Sequence, residues 1–246
     1  MAPFVALNSR LLFAHLNLTS LASSIDFGPI KFEKKRFTNF GSGGFEEWKP
    51  GLGSGDYKLG LYQDRATGVL EDQITLSTIR NTYPITVIPN ETGGDAAGDP
   101  AQLSRGIIAG YSQIKLTVGS ADTADISGSF DSPIARGLVA HPSAARTANG
   151  TGTAVALAGP TATQKLYACL HVTAFSGFTN VVFKIQSDDA GGFPSATDRI
   201  TFATVTGTTS EFASVAGSFS TETHQRISWT VTGSGSVTFV AAFGVL

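Results

Sequence analysis

The chain has 246 residues, 41% of them apolar and 15% charged, with a formal net charge of −2, 28 glycines, 10 prolines and one cysteine. That length supplies ample core for one or two domains without a disulfide or metal staple. Lys+Arg 17 against Asp+Glu 19 leaves no chain-wide basic excess for gripping duplex DNA. The charged fraction lies well below the quarter or so usual in soluble domains, so much of the surface must be Ser, Thr, Gly and Ala, which suits broad contact with other proteins.

Cys169 stands in an apolar alternating run with no second thiol, which excludes an internal disulfide and reads as a buried small hydrophobe. No stretch approaches about 18 uninterrupted apolar residues, so no spanning helix and no membrane partner is expected. Arg10 to Ser24 has a faint secretory texture, but His15 and Asn17 break its apolar core, and it reads as strand and loop. Without a leader, the Asn-x-Thr triplets at Asn17, Asn90 and Asn149 are chance matches in a threonine-rich chain.

A period of two dominates. Ile30 and Phe32 alternate with Lys31 and Glu33, and Tyr57, Leu59 and Leu61 alternate with Lys58, Gly60 and Tyr62; each reads as a strand with one buried face. Between them, Phe40 to Asp56 is too glycine-rich for a helix and too aromatic, with Phe45, Trp48 and Leu52, for a plain solvent loop. It reads either as a long hairpin arm whose aromatics bury outside the protomer or as a large loop folded back on its own domain.

From Ala66 to Arg80 the apolar spacing turns helical, with Glu71 and Asp72 near the amino end. Ile85 to Ile88 is a short strand stopped by Pro89, and Gly93 to Pro100 a flexible connection. Strand patterns return at Ile114 to Val118, Ala124 to Phe130 and Leu138 to Ala140. The small-residue stretch Ser143 to Pro160 is the expected boundary between a domain over 1–145 and another over 155–246.

Beyond it, Leu166, Ala168, Leu170, Val172 and Ala174 face one way and Tyr167, Cys169, His171, Thr173 and Phe175 the other, a strand covered on both sides. Further strands are predicted at Asn180 to Gln186, Arg199 to Val205, Glu211 to Val215, Gln225 to Thr232 and Ser236 to Val245, with turns at Asp189 to Gly192 and Gly233 to Gly235. Their regular spacing predicts an antiparallel sandwich or small barrel, with Trp229 in its core.

Catalytic patterns are absent. Neither Gly41-Ser42-Gly43 nor Gly53-Ser54-Gly55 has the spacing of a nucleophile elbow, and His15, His141, His171 and His224 carry no local signature. Gly51 to Asp56 places an acid where a dinucleotide fingerprint needs its third glycine. Asp188 and Asp189 before two glycines read as a solvated turn more readily than a calcium loop, and Glu46 with Glu47 as ordinary surface acids. No cofactor and no metal is implied, and no enzyme activity.

The runs Phe37-Thr38-Asn39-Phe40, Gly43 to Leu52 and Tyr57 to Asp64, followed by the helical stretch and then by Lys165 to Val172, Gln186 to Asp189 and Asp198 to Phe202, together resemble the major tail tube proteins of long-tailed bacteriophages. The likeness is one of order and texture over most of the chain. It implies an all-β fold with one helix, an antiparallel β-sandwich or partial barrel of the tail-tube type, followed by a C-terminal β-sandwich-like half that is either a pseudo-repeat or an added domain. It further implies a virion protein, present in the host cytoplasm during assembly, that stacks as rings around a DNA channel. The rings would be hexamers or pseudo-hexameric trimers, meeting a tape-measure protein and tail terminator or tip proteins. DNA would pass without specific binding, along a lumen lined by Asp or Glu with Ser and Thr. Phe40, Phe45, Trp48, Leu52 and Tyr57 are the residues expected at the contact between rings. A capsid decoration or head-tail connector protein is the alternative within virions, and a carbohydrate-binding sandwich, with Trp48 or Tyr167 as sugar platforms, the alternative outside them.

Overall fold

The structure, a computed structural model, describes residues 9–28, 30–36, 48–63, 81–89, 95–115 and 120–246. The expected helix Ala66 to Arg80 lies outside them. In chain order the strands are β1 (Arg10–Phe13), β2 (Leu16–Asn17), β3 (Ala22–Phe27), β4 (Lys31–Arg36), β5 (Trp48–Ser54), β6 (Asp56–Tyr62), β7 (Thr82–Ile88) and β8 (Pro100–Lys115). There follow β9 (Thr123–Phe130), β10 (Ala135–Arg146), β11 (Gly150–Thr151), β12 (Val155–Ala156), β13 (Lys165–Asp188), β14 (Thr197–Thr201), β15 (Thr209–Ala216) and β16 (His224–Val245). Among the described residues the structure is all-β and its registered strand pairs are antiparallel, in keeping with the clean period-two alternation.

The chain forms two compact units. One holds the residues up to Ser20 with Thr82–Arg105 and Ser132–Leu246; the other holds Leu21–Asn81 and Gly106–Asp131. These are not the contiguous domains expected around residues 145–155. Ser143 to Arg146, expected as a weak linker, belongs to β10, whose Ala144, Ala145 and Arg146 pair with Phe239, Thr238 and Val237. The C-terminal half therefore shares its unit with β1, β2, β7 and the first part of β8, in the order β14-β13-β16-β10-β8-β7-β1-β2.

The spine of this first unit is the pairing of β13 with β16, 24 and 22 residues long. β13 was expected as two strands, and β16 as two strands separated by a turn at Gly233 to Gly235. Instead Gly177 (φ 78°) and Gly233 (φ 92°) take the left-handed backbone that glycine tolerates, and bulges interrupt the register between Val172 and Asn180. A Cβ on Gly235 would meet the backbone oxygen of Ser176, so the two strands also approach here at glycine distance. These features bend the ribbon. Phe239 and Trp229 are about ten residues apart on β16, roughly 33 Å along a straight strand, yet their rings lie 5.3 Å apart and those of Phe239 and Phe183 4.7 Å apart. The ribbon thus folds over itself and packs the same face of its two halves together. Leu166, Leu170 and Val172 from one half and Phe183, Ile185 and Ile227 from the other share one core with Phe202 and Phe243.

The other face of the first half of β13 meets a second core, where Cys169 packs with Leu12, Ile88, Leu103, Val139 and Val240. The strand is covered on both sides, as its alternation predicts. Cys169 is fully buried, with its thiol pushed up to about 12 by burial. Trp229 is in the core, its indole N–H donating to the Ala148 carbonyl at 2.9 Å.

Two histidines are built into these cores. The His171 Nδ1 lies 2.6 Å from the Ala14 carbonyl, which can only accept, so Nδ1 carries the proton and Nε2 accepts from the Thr86 hydroxyl at 2.7 Å. His141 stacks on Phe239 at 4.1 Å, and its Nε2 accepts from Arg146 Nε at 2.9 Å. Asp188 is buried, not solvated: its carboxylate accepts the N–H of Ala190 at 3.0 Å and of Ser195 at 2.7 Å, and these bonds, the Ala190 one foremost, hold it below the usual carboxylate range. It closes the 189–195 loop on itself.

The second unit is built on β3, β6, β9 and the part of β8 from Gly106 onward, paired in that order. Tyr57, Leu59 and Leu61 on β6 and Ala124 and Ile126 on β9 are buried on one face, as alternation predicts. β4 and β5 form a separate two-stranded sheet in this unit.

Candidate interaction surface

The second unit presents two surfaces of opposite charge. On its four-stranded sheet, the face away from the core carries short polar side chains: Asp26 on β3, Lys58 on β6, and Asp125, Ser127 and Ser129 on β9. Register sets Asp26 beside Lys58 and Lys58 beside Ser127. The Ser129 hydroxyl donates to Asp56 at 2.7 Å, and Lys58 pairs with Asp125 at 3.4 Å. Asp26, Asp56 and Asp125 against Lys58 make the stretch around the groove anionic. A groove of about 430 Å³ runs along it, lined by Asp26, Asp56, Lys58, Ala109, Ser127 and Ser129. Its floor needs glycine: a Cβ on Gly128 would collide with the Ile107 carbonyl oxygen and come within 2.7 Å of the Tyr57 ring. Gly128→Ala should therefore destabilise the chain by about 1–3 kcal/mol, from backbone displacement at a filled site. A chemical-denaturation midpoint equal to wild type would contradict this.

The second surface is the ribbon of β4 and β5. Lys31 pairs with Ser54, Phe32 with Gly53, Lys35 with Lys49 and Arg36 with Trp48, with an irregularity between Phe32 and Lys34. A Cβ on Gly53 would lie 2.9 Å from the Phe32 ring, so the ring covers that glycine on the ribbon itself. Phe32 is nevertheless 60% exposed, and Ile30 just before the strand 55%. The alternation of Ile30 and Phe32 correctly marks a strand, but the face it predicts as buried is open to water in the protomer.

Phe40 and Phe45 lie outside the described residues. Trp48 opens β5 opposite Arg36, and Leu52 falls within the irregular part of the same strand, so these two expected contact residues share the ribbon. Tyr57 does not join them. It is 2% exposed, packs 5.3 Å from Phe130, and its hydroxyl donates to the Ile107 carbonyl at 3.1 Å; burial raises its pKa above the ordinary value. Its ring serves the core of its own unit because its strand parity is that of Leu59 and Leu61. The feature that sequence reasoning passed over is the charge of the ribbon. Lys31, Lys34, Lys35 and Arg36 stand within six residues, a signal hidden by the near-neutral total.

Among the described residues no three His, Cys, Asp or Glu side chains come together in a way that could hold a metal ion. No helix among them is long and apolar enough to cross a membrane.

Compared by sequence, the chain matches no protein-family model and no curated protein. Compared by structure, it is similar to a chain of the sheath-tube complex of an extracellular contractile injection system in its extended state, at TM-score 0.43 and 13% identity over 55% of this chain and 90% of that one. A chain of the sheath/tube terminator of such a system gives TM-score 0.45 and 12% identity over 55% and 97%. The SPP1 Dit protein, described as a hub of the adsorption apparatus in phages that infect Gram-positive bacteria, gives TM-score 0.37 and 9% identity over 97% and 99%. Scores this low assign neither a family nor a function.

Proposed function

We propose that this chain is a structural protein of a phage tail that assembles with copies of itself into stacked rings around a DNA channel. The observation that carries the reading is the β4–β5 ribbon. Among the described residues it pairs with no other strand, and it leaves Ile30 and Phe32 in water, on the same hairpin whose second strand begins at Trp48. Large apolar side chains left exposed on an otherwise unpaired ribbon mark a contact with another protein. Low overall charge fits extensive contact between copies, and the motif order that resembles tail tube proteins names the kind of assembly.

In this reading the hairpin docks on a neighbouring copy and the acidic, serine-rich sheet face supplies channel wall. Asp26, Asp56 and Asp125 would repel phosphate over a Debye length of about 8 Å at physiological salt, enough to keep passing DNA from adhering. Tape-measure and terminator proteins are the partners the reading adds, and the virion is the location.

Negative-stain microscopy of the purified chain tests it. The wild type should form rings or open-ended tubes, and Trp48→Ala, by removing an aromatic anchor worth about 2 kcal/mol or more, should stop at short or single-ring species. Long tubes from the variant would refute the hairpin's role. Particles of fixed size would favour a capsid decoration or connector, and a monomer retarded on a glycan resin would favour a carbohydrate-binding module.

A further inference from the structure

The ribbon carries Lys31, Lys34, Lys35, Arg36 and Lys49 against a single acid, Glu33. Its two strands are thus net +4, and since the whole chain is −2, the remainder is net −6. Lys35 stands directly across from Lys49 in the register. By composition this element is strongly cationic in a chain that is otherwise anionic, and it suits an anionic partner.

We infer that the partner is a second copy of this chain, met on its net-anionic remainder outside the channel-facing sheet, so that the ribbon docks by charge complementarity as well as through its exposed apolar residues. The inference rests on the self-assembly reading and adds what holds the copies together. Two observations favour a second copy over nucleic acid. Ile30 and Phe32 lie exposed at the cationic strand, and a phosphate backbone offers nothing to bury them. The sheet face of the same unit carries Asp26, Asp56 and Asp125, which repel a polyanion. The remaining chain of every copy, in contrast, carries the opposite charge to the ribbon, and such complementarity raises encounter rates and sets register.

The test is sedimentation velocity of the full chain at about 0.05, 0.15 and 0.5 M NaCl, a range over which the Debye length shortens roughly threefold. Wild type should assemble at low salt and shift toward monomer at high salt. K34E/K35E should associate at least about tenfold more weakly than wild type at low salt, and K34Q/K35Q should fall between the two. Circular dichroism melts matching wild type show that the variants are folded. Tubes that form equally in all three proteins and at every salt overturn this inference and leave the self-assembly reading standing. A wild type that remains monomeric throughout overturns both. A ribbon-dependent shift of duplex DNA, with assembly unaffected by either variant, assigns the charge to nucleic acid and also overturns the inference.

Discussion

Replacing Phe239 with alanine should lower the unfolding free energy by about 3–5 kcal/mol, the range for deleting a buried aromatic side chain. Phe239 is fully buried at the place where the bent β13–β16 ribbon closes on itself, with Phe183 at 4.7 Å, Trp229 at 5.3 Å and His141 stacked at 4.1 Å. Its ring comes from one half of the ribbon, while Phe183 and Trp229 come from the other. Losing it opens a cavity and removes the main aromatic contact between the halves. The surrounding strands cannot collapse into the space, because each is held by a ladder on both sides. Against a total stability of about 5–15 kcal/mol, this substitution brings the chain close to its folding limit. Urea denaturation checks it, with Thr232→Ala, an exposed position on the same strand, as a control expected within about 0.5 kcal/mol of wild type. A loss below about 1 kcal/mol for Phe239→Ala would mean that the two halves do not depend on this contact.

The second large effect is acid lability above the carboxylate range. Burial, with nearby Arg146 as a further cause at His141, lowers His141 to about 4; burial likewise lowers His171 to about 4. An unfolded histidine titrates near 6.5. Both groups are therefore neutral when folded and protonate more readily when the chain unfolds. Their stabilisation is fully present above pH 6.5 and drains away as the pH falls from there toward 4. Between pH 6.5 and 5 each contributes a loss of about 1.5 kcal/mol, before most carboxylates begin to titrate. The geometry explains the resistance to protonation. At His171 both ring nitrogens are occupied, one donating to Ala14 and the other accepting from Thr86. At His141 the accepting nitrogen already faces a guanidinium. Denaturation midpoints at pH 7.5, 6.5, 5.5 and 5.0 should fall steadily, and His171→Gln should remove about half of the slope. A flat profile over this window would be incompatible with two buried neutral histidines. The two experiments also bear on each other, since Phe239→Ala lets water reach His141 and should raise its pKa toward the ordinary value.

Much of the fold is legible in the residues one strand at a time. Tyr57, Leu59 and Leu61, and Leu166, Ala168, Leu170 and Val172, announce their buried faces through alternation, and the two-sided covering of β13 follows from apolar residues at both parities. Gly233-Ser234-Gly235 is where such reading misleads. Glycines that end strands elsewhere here permit a bend within one continuous ladder, and the partner strand that keeps the register going lies some fifty residues away. The candidate surface was half visible: a glycine-aromatic hairpin could be drawn from its composition, but the resemblance put Tyr57 in it, whereas the alternation with Leu59 and Leu61 already gave that ring to the core.

The amino-acid order alone determined that this is an antiparallel β protein, that Cys169 and Trp229 are core, and that the hairpin after Ile30 is unusual, because side-chain period and water avoidance are local properties. Only tertiary structure decided that Ile30 and Phe32 stay exposed, that the units interleave along the chain, and that His171 finds its partners at Ala14 and Thr86, 157 and 85 residues away. Alternation records which face of a strand shuns water. What covers that face, and which strand completes the ladder, depends on contacts between distant segments whose energies no local pattern encodes.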